Sequence, residues 1–134
     1  MTRAVPRTTS VPKERATVYL RRGENLLLLV EGAEASKNWD GVATVGVQAA
    51  IALADAYTIA KLGLRSRGQE HQEVVPLISG VGTKAASELA AQIQTVLNRK
   101  NEVEYGDREV SANDARRIAH VVRKIGVLVS SELS

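Results

Sequence analysis

The residues best suited to chemistry lie together in the segment from Arg99 to Tyr105, which reads Arg-Lys-Asn-Glu-Val-Glu-Tyr. An arginine there could hold phosphate oxygens in bidentate fashion, whereas cleaving a phosphodiester would also require a group that exchanges protons near pH 7. Six residues turn a helix by roughly 240°, so Arg99 and Tyr105 converge only if the helix breaks or two chains pair about a two-fold axis. The alternative is an ordinary helix end, where Arg99 and Lys100 complement the helix dipole.

A second candidate is Asp55, which lies inside the most apolar stretch of the chain, residues 49–56. A buried carboxylate requires a cation or hydrogen-bond donors, because leaving it bare is costly. We expect its partner to be Arg65, His71 or Arg99. Two interpretations stay open: a structural polar lock, or a carboxylate that orients Arg99 or His71 in a cleft.

The sequence contains two histidines, His71 and His120, the side chains that titrate nearest to neutral pH. His120 shares a helical strip with Arg116 and Arg123 and is expected to be exposed. Neither histidine has a neighbouring carboxylate cluster, so we expect no metal site and no cofactor. The candidate cleft therefore consists of five residues: Arg99, Asn101, Tyr105, His71 and Asp55.

The composition indicates how such a site would be positioned. A chain of 134 residues fits one domain, and the absence of cysteine excludes disulfides and thiolate metal sites. Phe is absent and Trp39 is the single tryptophan, so small aliphatic side chains must build the core. Alanine carries little side-chain entropy cost in a helix, which favours an all-α fold.

The charge is unevenly distributed along the chain. Residues 1–22 hold six Lys or Arg against Glu14, while the rest of the chain is slightly acidic. Such a basic run could attract phosphates, but it is more typical of a solvated tail. We expect residues 1–11 to be a disordered basic tail and residues 12–134 to form a single helical domain.

Apolar periodicity predicts an up-and-down bundle of four long helices plus one short helix. The second helix is apolar nearly all round, so it should be central or lie at a subunit interface. No strand is expected. The predicted elements are helix 1 from Pro12 to Ala35, helix 2 from an Asn38 cap to Leu62, a polar loop over 63–70, a short helix from His71 to Ser79, helix 4 from Thr83 to the Arg99 segment, a turn at Gly106-Asp107, and helix 5 from Ser111.

Several features occur in an order that resembles the HEPN superfamily, over roughly residues 15–130. They are a tryptophan opening a helix (Trp39), the alanine-rich run 49–56, the Gly63-Leu64-Arg65-Ser66 loop leading to His71, and Asn101 to Tyr105 before the capping Ser111. Members that cut RNA carry an arginine followed four to six residues later by histidine. Here Tyr105 stands at that spacing from Arg99, and tyrosine is a poor general base at neutral pH.

The resemblance implies a non-catalytic or degenerate HEPN-type module that binds RNA, a nucleotide or a protein partner. A partner would be an antitoxin or a nucleotidyltransferase-like protein, within a toxin–antitoxin or stress system. It also implies a homodimer, with helix 2 or the end of helix 4 at the interface.

Two other functions stay open. One is a metal-independent ribonuclease in which Arg99 stabilises phosphate charge and His71 or Tyr105 moves protons. The other is a dimeric scaffold. No signal peptide or membrane span is predicted, so a cytoplasmic protein without membrane contact is expected.

Overall fold

A computed structural model describes residues 7–67, 71–105 and 109–134, with side chains for all of these except His71 and residues 102–105. The chain is all-α apart from one small two-stranded sheet in this described part. In chain order the elements are β1 (Thr8–Ser10), a 3₁₀ turn (Lys13–Arg15), α1 (Ala16–Ala35), α2 (Trp39–Leu62), β2 (Leu64–Ser66), a second 3₁₀ turn (His71–Glu73), α3 (Val74–Ser79), α4 (Lys84–Tyr105) and α5 (Ala112–Leu133).

The helix ends follow from residues that the sequence analysis identified. Asn38 caps α2 by accepting a hydrogen bond from Gly41 N at 3.0 Å, and Ser111 caps α5 by accepting one from Asp114 N at 3.1 Å. Gly63 ends α2 with a φ of 67°, a conformation that suits glycine because it has no Cβ. The predicted bounds of α2 and the start of α5 are therefore confirmed.

Helix α2 is the central element, packing against α1, α4 and α5. Its alanines are covered by the chain's own helices: Ala49 and Ala54 are both fully buried. The expectation that α2 is central is confirmed. The alternative expectation, a subunit interface that uses α2, stays a prediction.

Close helix approach depends on glycines at the crossings. A Cβ on Gly46 of α2 would lie 2.8 Å from Ile118 Cγ2 of α5, and one on Gly126 would lie 2.7 Å from Leu27 Cδ1 of α1. Distances under 3 Å leave no room for a methyl group unless the neighbour shifts. The small-residue core suggested by the composition is thus realised in particular helix contacts.

The sheet was not expected. Strands β1 and β2 pair antiparallel with Thr8 opposite Ser66, Thr9 opposite Arg65 and Ser10 opposite Leu64. Val11 N donates to Gly63 O at 2.9 Å, and Arg67 N donates to Arg7 O at 2.8 Å, so the pairing extends at both ends. The predictions of disorder through residue 11 and of a plain loop from residue 63 are therefore wrong for 8–11 and 64–66. Residues 1–6 lie outside the described part of the chain.

By length and composition alone, α2 could also cross a membrane. In this fold, 78% of the most apolar part of α2 is buried inside the protein. A helix covered in this way is also what the centre of a helical bundle contains.

Candidate functional site

The predicted cleft residues lie at two different places. Asp55 lines a cavity of about 140 Å³ between α2, α3 and the two-stranded ribbon formed by β1 and β2. Arg99 lines a separate groove of about 160 Å³ between α4 and α5. Asn101 is exposed on α4, while the side chains of His71 and Tyr105 lie outside the described part of the structure.

Asp55 has the partner that the sequence analysis placed among three candidates. Its Oδ2 lies 3.4 Å from Arg65 Nε, while the Asp55 side chain keeps only 10% of its surface exposed and that of Arg65 keeps 47%. Gly63 and β2 bring Arg65 back over the end of α2. The prediction of a buried, paired Asp55 is confirmed, with Arg65 as the cation.

The pair does not compensate for the burial of the carboxylate. Burial raises the pKa of Asp55 from 3.8 to about 6, although Arg65 and, more weakly, Arg22 act in the opposite direction. Desolvation outweighs the attraction of the arginines, so the charged form of Asp55 is disfavoured in the fold. Asp55 is therefore a costly group, and costly ionisable groups in cavities are concentrated at functional sites.

Two arginines, Arg65 and Arg67, line this cavity, and two more lie close to them. The register places Arg7 opposite Arg67, and strand alternation puts both on the face that carries Arg65. Arg65 and Arg22 also lie over the ring of Tyr19, at 5.6 Å and 5.1 Å from its centroid. We call Arg7, Arg22, Arg65 and Arg67 the ribbon arginines. Like charges directly opposite each other destabilise a strand pair, so the ribbon favours an anionic partner.

The groove between α4 and α5 brings together a second set of basic side chains. Arg99, Arg117 and His120 line it, above the buried side chains of Val96 and Ile118. Arg99 Nη1 lies 3.4 Å from Asp114 Oδ1, in the first turn of α5. The groove therefore combines an apolar floor with cationic walls, which suits a ligand that carries phosphate.

Two of these groove residues were not predicted as neighbours of Arg99. His120 is exposed, which confirms the prediction, but the two arginines that share its helical strip, Arg116 and Arg123, do not line the groove. Arg123 instead pairs with Glu34 of α1, and Arg116 lies 5.0 Å from the ring centroid of Trp39. Only the packing of α4 against α5 reveals that His120 lines the Arg99 groove.

Fold and site together define a small all-α protein with two arginine-rich recesses. Comparisons with protein-family models, curated proteins and solved structures returned no match.

Proposed function

We propose that this protein is a non-catalytic, HEPN-type helical module that binds RNA through the α4–α5 groove, with its four long helices arranged up and down. The observation that carries the proposal is the juxtaposition of Arg99, Arg117 and His120 around one groove. Arginine binds phosphate oxygens in bidentate fashion, and apolar floors accept the faces of bases.

The pairing of Arg99 with Asp114 supports binding through exchange of partners. At 3.4 Å and with both side chains partly exposed, this contact is a weak surface pair. A phosphodiester could replace the carboxylate as the partner of Arg99 at little cost. Arg117 and His120 are exposed and would contact neighbouring phosphates.

The direct test is fluorescence anisotropy with a labelled single-stranded RNA and three variants of the full chain. Arg99→Ala and Arg117→Ala should each weaken binding about fivefold or more and lower the salt dependence by about one phosphate contact. Lys84→Ala is the matched control, because Lys84 is an exposed cation at the opposite end of α4. Unchanged affinity in both arginine variants would contradict the groove as the RNA site.

Ribonuclease activity is a second candidate, favoured by one observation: His120 lines the same groove as Arg99. A histidine beside an arginine provides both a proton-transferring group and a phosphate ligand. We expect binding without turnover, because Tyr105, which stands where HEPN ribonucleases carry histidine, is a poor general base at neutral pH. Structured and single-stranded RNAs would be incubated without metal. Robust cleavage that disappears in both Arg99→Ala and His120→Ala would establish the nuclease instead.

The proposed module is a homodimer. Support comes from α1, where the adjacent Leu28 and Leu29 remain 66% and 59% exposed. Exposed neighbouring leucines favour a surface that is covered in solution. Sedimentation at micromolar concentration should give two chains for the wild type and one for Leu28→Glu, whereas a monomeric wild type would refute this arrangement.

A further inference from the structure

The cavity beneath the ribbon is lined by two polar groups whose hydrogen-bonding capacity is not filled by the described residues. Asp55 and Ser66 both line it, and the buried Ser66 hydroxyl has no hydrogen-bond partner among the described residues. Among the described residues, the Asp55 carboxylate accepts one hydrogen bond, from Arg65 Nε to Oδ2 at 3.4 Å. An ionised carboxylate only accepts hydrogen bonds, so a ligand filling this cavity must present N–H or O–H donors to it.

The rest of the lining restricts the shape of that ligand. Ile51 and Val74 form an apolar wall facing the polar side, and the cavity measures about 140 Å³. Apolar cavities of about 150 Å³ accept a benzene-sized ring. One six-membered ring with donor groups on its edge therefore matches both the volume and the division of the lining, and any fused ring would lie toward the mouth of the cavity.

The ribbon arginines restrict its charge. Arg7 and Arg67 face each other across the strands, and Arg65 and Arg67 line the cavity itself. A ligand that carried only neutral donor groups would leave the positive charge of these arginines uncompensated. A ligand with an anionic group outside the cavity would relieve it, because phosphate accepts from several guanidinium groups at once.

We propose that this cavity binds the six-membered ring of a guanine nucleotide, with Asp55 accepting from two adjacent base N–H groups and Arg7 and Arg67 contacting the phosphate. Guanine presents its N1–H and N2–H₂ donors side by side, whereas adenine, cytosine and uracil place an acceptor beside each donor. Carboxylates are suited to a donor-only edge, and splayed single-stranded bases are read along their Watson–Crick edges. The inference rests on the proposed RNA-binding function and supplies a base preference at a second point of contact.

The test is calorimetric titration of the full chain at pH 8 with GMP, IMP, AMP and CMP. GMP should bind most tightly. IMP, which lacks the N2 amino group, should bind about tenfold more weakly because it loses one charge-assisted hydrogen bond. Asp55→Asn should reduce GMP binding to the level of AMP, while Arg67→Ala should weaken every nucleotide by a similar factor.

The controls separate this inference from the groove proposal. Lys84→Ala should leave GMP binding unchanged, since Lys84 lines neither this cavity nor the groove. Equal affinity for GMP and AMP, equal affinity in wild type and Asp55→Asn, or no GMP binding at millimolar concentration would each overturn the guanine site. If RNA binding still depended on Arg99, the groove proposal would stand alone. If the protein selected GMP but Arg99→Ala had no effect on RNA binding, the guanine site would stand and the groove proposal would fail.

Discussion

Arg65 Nε approaches Asp55 Oδ2 to 3.4 Å, yet this ion pair leaves the carboxylate less acidic than a free aspartate. The reason is the unequal exposure of the partners: Arg65 is almost half exposed and Asp55 is nearly enclosed. Water screens the arginine, while burial removes water from the carboxylate. The attraction is therefore weak and the desolvation strong, so the fold is destabilised whenever Asp55 is ionised.

Replacing Asp55 with asparagine should consequently stabilise the protein at pH 8. The folded pKa of about 6 exceeds the ordinary value of 3.8, so this group's stabilising contribution is complete below 3.8 and is lost as the pH rises through 6. We expect Asp55→Asn to raise the free energy of unfolding by about 1–3 kcal/mol at pH 8, with the gain shrinking toward pH 4. Urea denaturation at both pH values measures this. The exposed Asp40 on the same helix gives the control, since Asp40→Asn should bring no gain at pH 8.

The affinity for GMP should depend on pH through the same ionisation of Asp55. Only the ionised Asp55 accepts two hydrogen bonds, and burial raises its pKa to about 6. Arg65 from β2 and Arg22 from α1 are the charged groups that act on this carboxylate. GMP affinity should be constant from pH 7 to 8, where Asp55 is ionised. It should fall about tenfold per pH unit below 6. Calorimetry at pH 5, 6, 7 and 8 tests this, and a flat profile would exclude Asp55 as the acceptor.

The crossing of α2 and α5 should not tolerate a methyl group at Gly46. Its nearest neighbour would be Cγ2 of Ile118, a branched and fully buried side chain with little freedom to move. Gly46→Ala should therefore destabilise the protein by about 1–3 kcal/mol. Gly32→Ala is the matched control: no atom lies within 4 Å of its added Cβ, so it should stabilise α1 by about 0.5–1 kcal/mol. Thermal unfolding of the two variants should shift in opposite directions.

Amide hydrogen exchange should detect the pairing of β1 with β2. The amides of Val11 and Arg67 donate to Gly63 O and Arg7 O, so both should exchange more slowly than unstructured amides. The amide of Thr9, which lies opposite Arg65 in the middle of the same ribbon, should exchange at a similarly slow rate. Exchange of Val11 and Arg67 at random-coil rates would mean that the ribbon does not form in solution.

The sequence predicted those features whose causes are local. Asn38, Gly63 and Ser111 are helix-end residues by their own chemistry, and Arg65 follows the turn closely enough to be named as a partner of Asp55. The ribbon escaped prediction because each strand has three residues and its partner lies on the far side of two helices. Its one sequence signal is the pair Thr8-Thr9, β-branched residues that favour strands.

The Arg99 groove shows a second limit of prediction from sequence. Arg99 was identified from its own segment, but His120 and Arg117 belong to α5, and only the rotation of that helix against α4 determines which side chains share the groove. Helical spacing alone placed His120 beside Arg116 and Arg123, which in fact contact Trp39 and Glu34. Periodicity reports which residues share a face, but it does not report which helix that face meets.

The pairing of Thr8 with Ser66 also determines the order in which the elements should form during folding. Closing a loop that contains both α1 and α2 is entropically costly unless those helices have already docked, so the ribbon should be the last element to form. By the same reasoning it should be among the first to open, without unfolding of the helices beneath it. Such local opening would give the Asp55 cavity a route of entry that is governed by strand pairing, so exchange rates in the ribbon and ligand association rates should change together.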